Sequence, residues 1–172
     1  FALSVCRDMD VESEIARSRL GEWSSWCYVD LGGVRASMRF KLLKVDPSTG
    51  LVRIVRSQLY PTSGFAHPEE LCAEIVEEVG PFIERPSIRA GADPETCFED
   101  FLYQGLWMAR VASHLKRTKG WDLYIHHYHI LDSISHGFLA QSDPSWPFYD
   151  EERGKLSLQV VRRSYETVSY TH

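Results

Sequence analysis

The sequence has no surplus of cations: lysine and arginine number 19 against 24 aspartate and glutamate residues, a formal net charge of -5. A broad basic surface for the phosphates of DNA or RNA is therefore not expected, and no nucleic acid polymer is expected as partner. No apolar run approaches the roughly 20 residues needed to cross a bilayer, and mean hydropathy is -0.27, so no membrane span is expected. Cysteine is sparse. Cys6, Cys27, Cys72 and Cys97 lack the close pairs of zinc ribbons and thioredoxin-like sites. Buried free thiols are the expectation, which favours the cytoplasm over an oxidising compartment. The opening residues are too short and lack the basic leader of a signal peptide, and without an initiator Met the chain reads as a piece of something larger. It has no G-x-S-x-G elbow, Walker A loop, G-x-G-x-x-G or H-E-x-x-H. It also has no internal repeat and no low-complexity tract.

What is present is an ordinary folding composition, 44% hydrophobic and 25% charged over 172 residues, enough for one domain or somewhat more. Val34, Ala36, Met38, Phe40 and Leu42 alternate with Arg35, Ser37, Arg39 and Lys41, the period of a strand with one buried and one wet face. Gly32 and Gly33 connect it to a preceding strand over 23–30. The run Asp46-Pro47-Ser48-Thr49-Gly50 turns it into a third over 51–59. A three-stranded antiparallel meander is predicted.

Leu71, Ile75, Val76 and Val79 predict a short helix stopped by Gly80 and Pro81, followed by a loop through Gly91. Asp93 then offers an N-cap with Pro94 in the first helical position, and Phe98, Phe101, Leu102, Gly105, Leu106, Ala109 and Ala112 form one apolar face. Lys116, Arg117 and Lys119 suit its C-terminal dipole, and Gly120 closes it. Residues 121–130 are aromatic and apolar and read as a strand fed by that helix. Residues 141–149 read as an irregular loop. A last helix spans 151–170, its inner face Val160, Val161, Tyr165 and Val168.

Ligand-type side chains are densest at His126, His127, His129, Asp132 and His136. Imidazole nitrogen and carboxylate oxygen suit zinc, and a helical turn from Asp132 would bring His136 to the same side. Two bland readings stand beside that one. Asp132 could cap a helix that starts after the strand, and the three preceding histidines could be satisfied structural residues. On a strand His127 and His129 share a face and His126 points oppositely. His67 and His114 suggest no function. Trp23, Trp26 and Tyr28 read as sheet packing, since no basic residues interleave with them in sequence. Ser133 and Ser135 read as local hydrogen-bonding residues.

The words Trp121-Asp122-Leu123-Tyr124-Ile125 and Leu131-Asp132-Ser133-Ile134-Ser135-His136-Gly137-Phe138 resemble the D-x-x-x-H segment of type I phosphodiesterases and nucleotide pyrophosphatases in the alkaline phosphatase superfamily. In that family a strand ends in an aspartate and, four residues on, a histidine, which bind one of two catalytic zinc ions. The resemblance places Asp132 and His136 as metal ligands. Gly21-Glu22-Trp23-Ser24-Ser25-Trp26 and the strands after it resemble an insertion in a microbial branch of these enzymes. Ser164-Tyr165-Glu166-Thr167-Val168 resembles the end of a helix that precedes a further aspartate-histidine pair.

The resemblance implies a fragment of a metal-dependent phosphodiesterase that hydrolyses phosphate esters, nucleotide-like ones included. Its cofactor would be Zn2+, two ions in the intact enzyme, with other divalent metals able to substitute. Its expected fold is α+β: a three-stranded antiparallel insertion with helices over residues 1–120, then a strand-loop-helix of a larger α/β core over 121–172. The nucleophile, an upstream metal-binding aspartate, the downstream aspartate-histidine pair and a distal histidine have no counterpart here, and His172 is not assigned that role. No catalytic residue is therefore expected in this segment. Unpaired strand edges would favour a homo-oligomer. The competing expectation is a self-contained protein-binding or oligomerisation module in which the histidine cluster is structural.

Overall fold

A computed structural model describes residues 1–83 and 93–170, side chains of 169 and 170 excepted. The expected loop through Gly91 and the terminal His172 lie outside the described residues. The chain is mixed α+β, with small antiparallel sheets and four α-helices among the described residues. It divides into two compact units, Phe1–Arg85 and Pro86–His172.

In the first unit β1 (Ala2–Cys6) and β2 (Glu14–Arg19) form a hairpin, which sequence reasoning missed. β3 (Cys27–Leu31) pairs with β4 (Val34–Met38), and β4 pairs with β7 (Tyr60–Pro61). The β3–β4 turn uses Gly32 and Gly33 at φ 61° and 84°, the left-handed conformation that two-residue hairpins require. β5 (Phe40–Asp46) pairs with β6 (Leu51–Arg56) in a separate hairpin. Asp46 Oδ1 accepts from the Ser48 amide and hydroxyl at its turn. A three-stranded antiparallel sheet is thus present, but its third strand is β7 rather than residues 51–59.

The predicted continuous strand over 34–42 breaks at Arg39. Arg39 lies with its guanidinium carbon 4.3 Å from the Trp23 ring centre and 5.0 Å from that of Trp26, so a basic residue distant in sequence does pack on these aromatics. Ser37, Arg39 and Lys41, expected on a wet face, are buried. The reason lies in what borders β5. Serine hydroxyls accept from amides there, Ser57 Oγ from Arg39 just before the strand, Ser24 Oγ from Phe40 and Ser18 Oγ from Leu42, each at 3.0 Å. Backbone bonds from Gly21 to the Leu42 carbonyl and from Ser24 to that of Phe40 complete that edge. The segment 18–24 therefore borders the first residues of β5, Phe40 to Leu42, on the edge opposite β6.

α1 (Glu70–Glu78) follows β7 and ends where Gly80 takes φ 111°. In the second unit, α2 (Pro94–Thr118) starts as predicted: Asp93 accepts from the Thr96 amide at 3.0 Å, and Pro94 occupies the first turn. It ends at Gly120 with φ 71°, whose amide reaches the Leu115 carbonyl. Its inner stripe departs from expectation in the second half. Leu106 and Ala109 are exposed while Trp107, Val111 and His114 are buried, because burying a Trp removes more apolar surface from water than burying a Leu.

The core of the unit gathers Cys97, Phe98, Phe101, Ile130, Ile134, Phe138, Val160 and Val161. α3 (Ile130–Ile134) continues into a π-helical turn, Ser135–Leu139, and a 3-10 turn, Ala140–Ser142, before α4 (Glu151–Tyr170). On α4, Val160 and Val161 face the core as predicted, but Tyr165 is exposed. Gly154, Ser157 and Ser164 fill the inner row instead, small residues that let the helix approach its neighbours closely.

All four cysteines are free, Cys6 half-buried and the others buried. Burial, then the nearby carboxylates of Asp93 and Asp100, pushes the Cys97 thiol up to about 12, and burial also raises Cys27. The thiolate is the nucleophile, so alkylation at pH 8 should modify Cys6 first and leave Cys97 untouched until the chain is unfolded. Mass spectrometry of iodoacetamide-treated native protein checks this. Early labelling of Cys97 would contradict the packing described here.

Candidate metal-binding turn

The segment 121–129 leaves α2 after Gly120 and is not a strand, contrary to expectation. A strand needs a neighbour for its amides and carbonyls. α2, which precedes it, spends its own backbone groups within the helix, and no described strand pairs with the segment. Its side chains nevertheless alternate as on a strand. Tyr124, His126 and Tyr128 form one row, with neighbouring ring centres 5.3 and 6.5 Å apart. His127 and His129 meet edge to face at 5.1 Å, the partition of His126 from the other two that the period of two predicts. Leu123 and Ile125 are 76% and 81% exposed, an unusual placement for two large aliphatic side chains.

The aromatic row is anchored on α2. Trp121 Nε1 donates to the Ala112 carbonyl at 3.4 Å, and Lys116 Nζ both donates to the Trp121 carbonyl and lies 4.5 Å from the indole centre. Tyr128 packs on the core, over Gly105, where an added Cβ would fall 2.7 Å from the Tyr128 hydroxyl. Burial raises the Tyr128 phenol above its ordinary value. The chain is thereby delivered to Ile130, whose burial together with that of Ile134 fixes α3 on the core.

On α3, Asp132 sits within the first turn, and His129, not Asp132, occupies the N-cap position without a side-chain capping bond. The capping role considered for Asp132 is therefore not the one it takes. Its carboxylate instead meets two imidazoles: Oδ2 lies 2.9 Å from His129 Nε2, and Oδ1 lies 3.4 Å from His136 Nε2. These side chains are 50%, 62% and 82% exposed respectively. Residues three before and four after Asp132 fall on its side of a helical path, which explains the convergence. Ser135 donates to the Leu131 carbonyl at 2.8 Å, a local bond of the expected kind.

The donor chemistry, one carboxylate oxygen and imidazole nitrogens, is that of zinc. With bonds of about 2.0–2.1 Å, two ligand atoms of a tetrahedral ion stand about 3.3 Å apart, close to the observed separations of Asp132 from its two histidines. The carboxylate oxygens face the imidazole nitrogens directly. Among the described residues no group of three or more His, Cys, Asp or Glu side chains is placed to hold a metal ion. Among the same residues no helix is long and apolar enough to cross a membrane.

No protein-family model matches the chain, nor does any curated protein or solved structure.

Proposed function

We propose that the chain is a segment of a metal-dependent phosphodiesterase or related phosphohydrolase of the nucleotide pyrophosphatase type, acting on phosphate esters through a two-zinc site of which it supplies Asp132 and His136. The observation that carries this reading is the approach of the Asp132 carboxylate and the His136 imidazole to 3.4 Å across one turn, both open to solvent. A divalent ion between them can enter without breaking the core, because Ile130 and Ile134 hold the turn from its opposite side. The segment 121–129 adds support: side chains alternate as on a strand while no described strand pairs with it, as expected of a strand separated from its sheet.

When bound, zinc would supply Lewis acidity, lowering the pKa of a bound water and neutralising charge on a phosphoryl oxygen. The chain's own residues would orient the ion. Asp132 offers an anionic oxygen held by the first turn of α3, and His136 a neutral nitrogen from the turn that follows. An incomplete ligand set and no assigned nucleophile make this segment silent toward phosphodiesters and phosphomonoesters alike.

The second reading is a structural cluster, with Asp132 simply pairing with two neighbouring imidazoles in a binding or oligomerisation module whose exposed Leu123 and Ile125 meet a partner. Calorimetric titration with zinc chloride separates the two. Weak 1:1 binding by the wild type, abolished in Asp132→Ala, is expected on the metal reading, and equal heats from both proteins would leave the structural reading standing. Zinc-dependent ester turnover lost in the same variant would show that the segment carries more of the site than is proposed.

A further inference from the structure

His129 lies outside the words that carry the family resemblance, yet its Nε2 stands nearer the Asp132 carboxylate, at 2.9 Å, than His136 Nε2 does at 3.4 Å. We infer that His129 is a third protein ligand, forming with Asp132 and His136 one site for a borderline divalent cation such as zinc; the inference rests on the metal reading of those two residues. Two imidazole nitrogens and one carboxylate oxygen make the three-ligand set that open zinc sites use, with a position left for water or substrate.

The backbone already provides the convergence. His129 enters α3 at its N-cap, Asp132 follows in the first turn, and His136 lies one turn on. Each imidazole reaches the same carboxylate through a different oxygen, and loading an ion requires these side chains to rotate, since as they stand no three of them are placed to hold one. The exposure of the three side chains, 62%, 50% and 82%, leaves that rotation free. His127, edge to face with His129, shares its side of the segment. His126 stacks in the opposite row between Tyr124 and Tyr128, which makes it the internal control.

The test is titration of the full chain with zinc chloride by calorimetry, comparing wild type with His129→Ala, His136→Ala and His126→Ala, each first verified as folded by far-UV circular dichroism. His129→Gln replaces His129→Ala if the alanine variant does not fold. Removing one of three ligands is expected to weaken binding at least about tenfold in both the His129 and His136 variants, with His126→Ala unchanged. Cobalt substitution gives a second readout, since the visible absorption of a low-coordinate site should collapse in His129→Ala. Wild-type affinity in His129→Ala beside lost affinity in His136→Ala overturns the third ligand and leaves the proposed function intact. Wild-type affinity in both variants overturns the inference and the metal reading together.

Discussion

Phe101→Ala is expected to destabilise the carboxy-terminal unit by about 3–5 kcal/mol, the range for truncating a buried aromatic. Phe101 is 2% exposed and belongs to the core cluster with Phe98, Ile130, Ile134, Phe138, Val160 and Val161. Truncation removes apolar burial and leaves a cavity in the cluster. Domains of this size hold roughly 5–15 kcal/mol in all, so the loss is a large share of what keeps α3 seated. Zinc affinity should fall with it, because the turn carrying Asp132 and His136 is held only from its buried side. Urea denaturation followed by circular dichroism measures the change. Tyr165→Ala is the control: at 52% exposed, it should shift stability by no more than about 0.5 kcal/mol. A loss below about 1 kcal/mol for Phe101→Ala would mean that this cluster is not the core of the unit.

In the amino-terminal unit Ser18→Ala is expected to cost roughly 1–3 kcal/mol although it removes a single oxygen. Ser18 is 1% exposed. Its hydroxyl accepts from the Leu42 amide at 3.0 Å and donates to the Glu22 carbonyl at 2.6 Å, so alanine leaves a buried strand amide without its acceptor. Leu42 is itself 2% exposed, which denies that amide a replacement from water. Hydrogen exchange offers a local readout: the Leu42 amide should exchange faster in Ser18→Ala. Unchanged exchange and stability would show that the hydroxyl is not what satisfies β5.

Those serines illustrate what a sequence conceals. The caps of α2 were legible because Asp93, Pro94 and Gly120 act within a few residues of where they stand. The β3–β4 turn was legible for the same reason, its two glycines being local conformational requirements. The break at Arg39 was not, because the alternation from Val34 to Leu42 runs through it without a fault. What meets Arg39 at the break is the Trp23 and Trp26 rings and the Ser57 hydroxyl, and what borders β5 beyond it is the hydroxyls of Ser18 and Ser24, all distant in sequence. Residues 121–130 err the other way. Their composition is that of a strand and their side chains alternate, but a ladder is a property of two segments, and no described strand lies alongside. At the candidate site the spacing of Asp132 and His136 was legible from helical period alone. The closer approach of His129 depends on α3 beginning at Ile130, a boundary the sequence placed two residues later.

Zinc K-edge X-ray absorption on the chain loaded with one equivalent of zinc tests the central claim most directly, because it reads the ligands themselves. The account predicts a first shell of nitrogen and oxygen at about 2.0–2.1 Å with the outer-shell scattering of imidazole, diminished in His136→Ala. A water-like oxygen shell without imidazole scattering, the same in wild type and variant, would contradict it.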